Sequence, residues 1–206
     1  MKKYFGFTLA EFMATLAIVG VIAALTVPTL MKNSQSKILV TKLKKTIAVV
    51  TVAIENVMDE THSMTLAETG IFGSQTAAHN FLKNYFKTSS TSLSDPTDFI
   101  ASSYDKVSSR SSFSRTTMAQ SYTCAKLKDD SSICLKPNAD KSGAELLIDT
   151  NGLQGPNIEG YDLFLTKIES NGDIVSYEES TSTSSSYYNK NTAYSRIVKD
   201  GWELKY

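Results

Sequence analysis

The feature that most constrains this chain is an apolar stretch near its start. From Phe7 to Met31 the only ionisable side chain is Glu11. As a helix this stretch would be about 37 Å long, which exceeds the roughly 30 Å hydrocarbon core of a bilayer. Ser and Thr instead dominate the chain after residue 60. The sequence therefore predicts one membrane-spanning helix joined to a hydroxyl-rich, water-exposed part.

Three kinds of N-terminal segment compete for this stretch: a cleaved secretory signal, an uncleaved signal anchor, and a segment cut before its apolar run. Lys2, Lys3 and the small pair Ala23-Ala24 fit an ordinary signal. Glu11 does not, because a carboxylate at mid-membrane costs about 2.5–3.5 kcal/mol and a disposable signal has no use for one. Glu11 therefore favours a segment that is kept and used.

The residues Gly6-Phe7-Thr8-Leu9-Ala10-Glu11, followed by an apolar run with Pro28 near its end, closely resemble the prepilin leader of type IV pilins and type II secretion pseudopilins. The resemblance implies that prepilin peptidase cuts between Gly6 and Phe7 and methylates the new N-terminal amine of Phe7. It also implies that Glu11, then the fifth residue, pairs with the N-terminal amine of a neighbouring subunit.

Physical chemistry agrees with such a pairing. A carboxylate and an ammonium are each costly in a low-dielectric helix bundle, whereas together they attract and fix the register of the helices. Small residues recur four apart at Ala10 and Ala14 and at Gly20 and Ala24, which lets helices approach closely. Pro28 removes a helix hydrogen bond, so we expect a kink or a locally melted turn near residues 24–28.

The apolar pattern continues beyond the membrane segment. Apolar residues recur at steps of three and four on one helical face: Leu39, Leu43, Ile47, Val50, Ile54 and Val57. One helix from Phe7 to near Met58 is predicted, with its second half packed under a head. Lysines follow the apolar stretch in greater number than they precede it, which by the positive-inside rule would reverse the orientation: Lys32, Lys37, Lys42, Lys44 and Lys45. We give the leader motif more weight. We interpret these lysines as a solvated helix face, and contact with lipid headgroups is the alternative.

The head is predicted to be α+β, with an antiparallel sheet. A short helix is expected over 75–87, a long loop or variable insertion over 88–114, and strands over 144–149, 161–168 and 173–177. A hairpin turning at 129–132 would place Cys124 opposite Cys134, which suits a disulfide outside the cytoplasm; two buried free thiols are the alternative. A Ser/Thr patch at 180–186 is interpreted as an exposed loop.

The segment 149–162 is dense in side-chain oxygens. Asp149, Asn151, Asn157 and Asp162 could together bind calcium, and some major pseudopilins hold calcium in a C-terminal loop. However, the terminal glutamate of an EF-hand loop is missing. We therefore favour a structural turn, keep calcium as the alternative, and expect no other cofactor.

The expected organisation is a leader at 1–6, a membrane and filament-core helix at 7–31, an amphipathic helix at 32–60 and a head at 61–206. Lys plus Arg and Asp plus Glu both number 21, which gives no reason to expect a nucleic-acid partner. No nucleophile elbow, phosphate loop or zinc-protease motif is present, so we expect no enzyme.

The function expected is that of a filament subunit: a pilin or pseudopilin in the cytoplasmic membrane with its head outside. Its partners would be membrane lipid, prepilin peptidase, like subunits, a platform protein and, indirectly, an assembly ATPase. A tethered binding or adhesion domain is the alternative.

Overall fold

The computed structural model describes Gly6 and residues 8–106, 109–114, 121–178 and 191–204. It comprises two compact units, Met1–Ile38 and Leu39–Tyr206. Phe7 and the Ser/Thr patch at 180–186 lie outside the described residues, so the predictions made for them stay predictions.

Helix α1 spans Leu9–Thr61 and confirms the single long helix expected from Phe7 to near Met58. Within the first unit its apolar residues are solvent-exposed, and the helix is long and apolar enough to cross a membrane. The helix continues without interruption through Pro28, so the melted turn is wrong. The hydroxyl of Thr29, the residue after Pro28, donates to the carbonyl of Leu25 one turn earlier in the helix, at 3.4 Å. The expected kink stays a prediction.

In the second unit, α1 buries one face against the head. The buried residues follow helical spacing and include every member of the predicted stripe: Leu39, Val40, Leu43, Thr46, Ile47, Val50, Ala53, Ile54 and Val57. Three shorter helices complete the unit, α2 (Leu66–Thr69), α3 (Gln75–Tyr85) and α4 (Ala193–Lys199). The Ser74 hydroxyl accepts the backbone N–H of Ala77 at 3.1 Å and caps α3. Helix α3 confirms the short helix predicted over 75–87.

The described residues form a sheet of nine strands. In chain order they are β1 (Thr88–Ser92), β2 (Ser103–Lys106), β3 (Ser109–Ser114), β4 (Thr123–Leu127), β5 (Ser132–Pro137), β6 (Ala144–Asp149), β7 (Ile158–Glu159), β8 (Leu163–Ile168) and β9 (Ile174–Ser176). Their spatial order is β1-β4-β5-β6-β8-β7-β2-β3, and β9 pairs with β8. Most pairs are antiparallel, but the two-residue strand β7 is parallel to both β2 and β8. The α+β prediction is confirmed.

Successive side chains of a strand point to opposite faces of the sheet. In the central strands both faces are buried, each against its own apolar core. On β6, Leu146 and Ile148 face the core shared with α1, whereas Leu147 faces a second core. The second core is covered by the chain around Phe99, Ile100 and Tyr104. A sheet with helices on one side thus gains a second apolar layer without a second set of helices.

The long loop expected over 88–114 is wrong. This segment contributes β1, β2 and β3, and between β1 and β2 it supplies the cover of the second core. The strands are rich in Ser and Thr, so no apolar alternation marked them. Two of the three strands pair with strands distant in sequence, since β1 pairs with β4 and β2 pairs with β7, whereas β3 pairs with β2.

Candidate functional site

The first turn of α1 contains the acidic residue that the sequence singled out. The backbone N–H and the hydroxyl of Thr8 each donate to Oε2 of Glu11 at 2.8 Å. The Thr8 hydroxyl in turn accepts the backbone N–H of Glu11 at 3.2 Å. This reciprocal arrangement is a capping box, in which a Thr and a Glu three residues apart satisfy free N–H groups at a helix start.

The capping box gives Thr8 a role that the sequence argument missed. The signal was present, since Thr8-Leu9-Ala10-Glu11 has the Thr-x-x-Glu spacing of a capping box. The carboxylate of Glu11 is thereby held in a defined position at the helix start. Both Thr8 bonds end on Oε2, so neither of them uses Oε1.

The small residues of the membrane-length segment leave the helix surface open. A Cβ added at Gly20 would meet no atom within 4 Å. Gly6, just before the predicted cleavage point, is likewise uncrowded.

The two cysteines of the head form the predicted disulfide. Cys124 on β4 lies opposite Cys134 on β5 in the strand register, and the two are bonded. Both side chains are buried in the second core. The alternative of two free thiols is therefore wrong. Disulfides persist in oxidising compartments, so this bond agrees with a head outside the cytoplasm.

The oxygen-rich segment 149–162 folds into a turn with buried ends and an exposed middle, residues 153–156. Oδ1 of Asp149 accepts the N–H groups of Asn151 at 3.0 Å and Gly152 at 2.7 Å, and Oδ2 accepts the Tyr104 hydroxyl. The carboxylate of Asp162 accepts the N–H groups of Asn157 and Ile158, at 2.7 and 2.8 Å respectively. The two aspartates thus anchor both ends of the turn.

Burial dominates the electrostatics of this turn. Desolvation, opposed by the Tyr104 hydrogen bond and reinforced by the charge of Asp162, raises the pKa of Asp149 to about 8. Desolvation also raises the pKa of Asp162 to about 6, against the pull of its two backbone N–H donors. Tyr104 is buried beside these carboxyls, which raises its pKa as well.

These contacts bear on whether the four candidate residues fit calcium. Every carboxylate oxygen of Asp149 and Asp162 already accepts an N–H or O–H group, whose positive end competes with a cation for the same oxygen. Asn151 turns its amide Nδ2 to the carbonyls of Gln154 and Gly155. Among the described residues no three His, Cys, Asp or Glu side chains cluster as a metal site. The geometry favours the structural turn, and calcium stays an untested prediction.

Comparison with known proteins bears on the N-terminal segment. Residues 1–27 match the family model described as the prokaryotic N-terminal methylation motif. No curated protein and no solved structure matches the chain. The match includes Gly6, Phe7 and Glu11, the residues on which the resemblance was based.

The motif implies processing by prepilin peptidase and assembly with like subunits. Together with the apolar part of α1, it indicates a single-pass, membrane-anchored protein. The chain carries at its N-terminus the signature of type IV pilins and pseudopilins.

Proposed function

We propose that this protein is a structural subunit of a type IV pilus or a type II secretion pseudopilus. The single observation that carries the proposal is the methylation motif at residues 1–27, placed at the start of a helix of membrane-spanning length. In this proposal the apolar part of α1 first holds the subunit in the cytoplasmic membrane and then packs with the same segment of other subunits in a filament.

The head is proposed to lie outside the cytoplasm. The buried Cys124–Cys134 bond supports this orientation, because such bonds are rare in the reducing cytoplasm. The lysines after the span do not argue strongly against it, since three have structural partners in the head. Lys42 donates to the carbonyl of Asp129, Lys45 pairs with the Asp129 carboxylate at 2.7 Å, and Lys44 lies over the Trp202 ring.

Glu11 is proposed to set the register of subunits in the filament. Cleavage after Gly6 would create a positively charged amine at Phe7, four residues before Glu11. The Thr8 bonds fix the position of the Glu11 carboxylate and leave Oε1 to receive that amine from a neighbouring subunit. In a low-dielectric helix bundle such a pair is favourable only when both charges are present, so a mismatched register is penalised.

Subunit extraction and insertion would need a platform protein in the membrane and, through it, a cytoplasmic assembly ATPase. We propose both as indirect partners, on the strength of the leader motif alone. We further propose that the head contributes surface and structure to the filament and catalyses no reaction. The second candidate function, a tethered binding domain, uses the same helix but requires no contact between subunits.

The test is Glu11→Ala expressed in the native host, with Glu11→Asp as the matched variant that keeps the charge. We expect Glu11→Ala to be cleaved and membrane-inserted but to enter sheared filaments at least about tenfold less, because removing one partner strands the other charge in an apolar bundle. Glu11→Asp should retain part of the assembly. Normal filament yield from Glu11→Ala would refute the register role. Absence of filaments from the wild type would favour the tethered domain.

A further inference from the structure

The part of α1 that belongs to the head leaves one face uncovered. The exposed residues on this face lie at steps of one, three and four and form a continuous band, which we name the α1 stripe: Lys45, Ala48, Val49, Val52, Asn56 and Asp59. Val49 and Val52 are 37% and 53% exposed although they belong to a well-packed unit. With the exposed Ala48 they make the middle of the stripe apolar.

A groove runs beside this stripe. One part is lined by the stripe itself and by Tyr85, and the adjoining part, of about 370 Å³, is lined also by Lys87, Lys128 and Leu127. The lining therefore combines apolar side chains with three lysines. Asp129 lies in the same groove and is paired with Lys45 at 2.7 Å, which leaves an excess of two positive charges among the lining residues.

Charge changes sign along the helix. Lys87 and Lys128 are exposed beside the N-terminal end of the stripe, and within the described part of the chain neither forms a salt bridge. The last two turns of α1 carry exposed Glu55 and Asp59, which also form no described salt bridge. At about 1.5 Å per residue, these acids lie about 15–21 Å along the axis from Lys45.

We propose that the basic groove at Lys45, Lys87 and Lys128 binds the acidic end of α1, Glu55 and Asp59, from a second copy of this chain. The two contact surfaces are different, so the interface is heterologous and each copy can bind one neighbour at each end. A heterologous contact that does not close on itself generates an open, helical assembly. The proposal rests on the proposed filament function and specifies its head-to-head contact.

Charge complementarity selects the stagger. Parallel subunits placed side by side at the same height would bring lysine beside lysine and acid beside acid. Displacing one copy by about 10–14 residues, or about 15–21 Å, places the acids of one opposite the lysines of the other. This neighbour is therefore not the copy whose amine pairs with Glu11, because that pairing displaces the helix by only about four residues, or about 6 Å. The exposed valines lie between the two charged ends, so apolar contact would accompany the ion pairs.

The test exchanges the charges of the two surfaces in sheared filaments from the native host. Lys87→Glu with Lys128→Glu makes the groove acidic, and Glu55→Lys with Asp59→Lys makes the helix end basic. Each double variant should reduce filament yield by about tenfold, since attraction becomes repulsion at every interface. All four changes in one chain should restore the yield, because every interface then has reversed but complementary charges. Lys141→Glu, at an exposed turn outside the groove, is the matched control and should assemble normally.

The outcomes separate this contact from the general function. If wild-type filaments form but either double variant assembles normally, or the combined variant is not restored, the proposed contact is wrong while the filament function stands. If the wild type forms no filaments, the function itself fails. Val52→Cys tests the orientation, because a staggered contact keeps the two copies of residue 52 too far apart for a disulfide. A dimer linked through that cysteine would overturn the head-to-tail contact.

Discussion

Reducing the Cys124–Cys134 bond should destabilise the head by an amount that the chain length between the cysteines determines. The two residues are ten apart and join adjacent strands β4 and β5. In the chain-entropy description, opening a loop of this size increases the entropy of the unfolded chain enough to lower the free energy of unfolding by about 2.7 kcal/mol at 25 °C.

The expected shift in melting temperature follows from the size of the folding unit. The unit Leu39–Tyr206 contains the disulfide. An unfolding entropy of about 2.1 cal/mol/K per residue over roughly 170 residues converts 2.7 kcal/mol to a decrease in Tm of about 8 °C. Comparing oxidised and reduced wild type keeps both sulfur atoms in the core, so no cavity is added to the entropic effect.

The assay is thermal unfolding of the full-length protein in detergent, monitored by circular dichroism with and without reductant. Cys124→Ala combined with Cys134→Ala is the control, and its Tm should not respond to reductant. A decrease of less than about 2 °C in the wild type, with both thiols shown to be free, would refute the reasoning. It would mean that β4 and β5 remain closed in the unfolded chain without the bond.

Two further predictions concern the head. The raised pKa values of Asp149 and Asp162 mean that the folded state holds protons which the unfolded state releases, so stability should fall as pH rises from about 4, through about pH 6 for Asp162 and through about pH 8 for Asp149. Urea titrations at several pH values should show this loss of stability. Asp149→Asn should remove the loss between pH 6 and 8, and millimolar calcium should not change it. A free energy of unfolding that rises between pH 4 and 8 would contradict the account. In Gly143→Ala the new Cβ would lie 2.1 Å from the carbonyl oxygen of Ile168, so we expect the free energy of unfolding, measured in urea, to fall by about 2–3 kcal/mol. Gly155→Ala, whose new Cβ would have no atom within 4 Å, is the control and should change this free energy little. Equal stability of the two variants would contradict the close packing at Gly143.

Sequence reasoning succeeded where the determining interactions are local. The helix α1 was predicted to within a few residues, because its apolar spacing and its scarcity of internal breakers, Gly20 and Pro28, are properties of neighbouring residues. The Cys124–Cys134 hairpin was predicted for the same reason, since the turn and both strands lie within one short segment.

Sequence reasoning failed where a segment's structure depends on residues far from it in the chain. Strand β1 reads Thr-Ser-Ser-Thr-Ser, which lacks any apolar alternation, and it is a strand because β4 offers its edge. In the same way, the oxygen content of 149–162 suggested a cation, but the direction of the backbone N–H groups, which the sequence does not reveal, turned the aspartates into anchors of the turn. The lysines after the span were interpreted as merely solvated, whereas Lys42 and Lys45 bind Asp129.

The most direct test of the account is the mass and N-terminal residue of the protein purified from its native membrane. The account predicts a chain that begins at Phe7 and carries one additional methyl group on its amine. A chain that begins near Thr26, or one that still begins at Met1, would contradict the prepilin account and indicate a secreted or simply anchored protein.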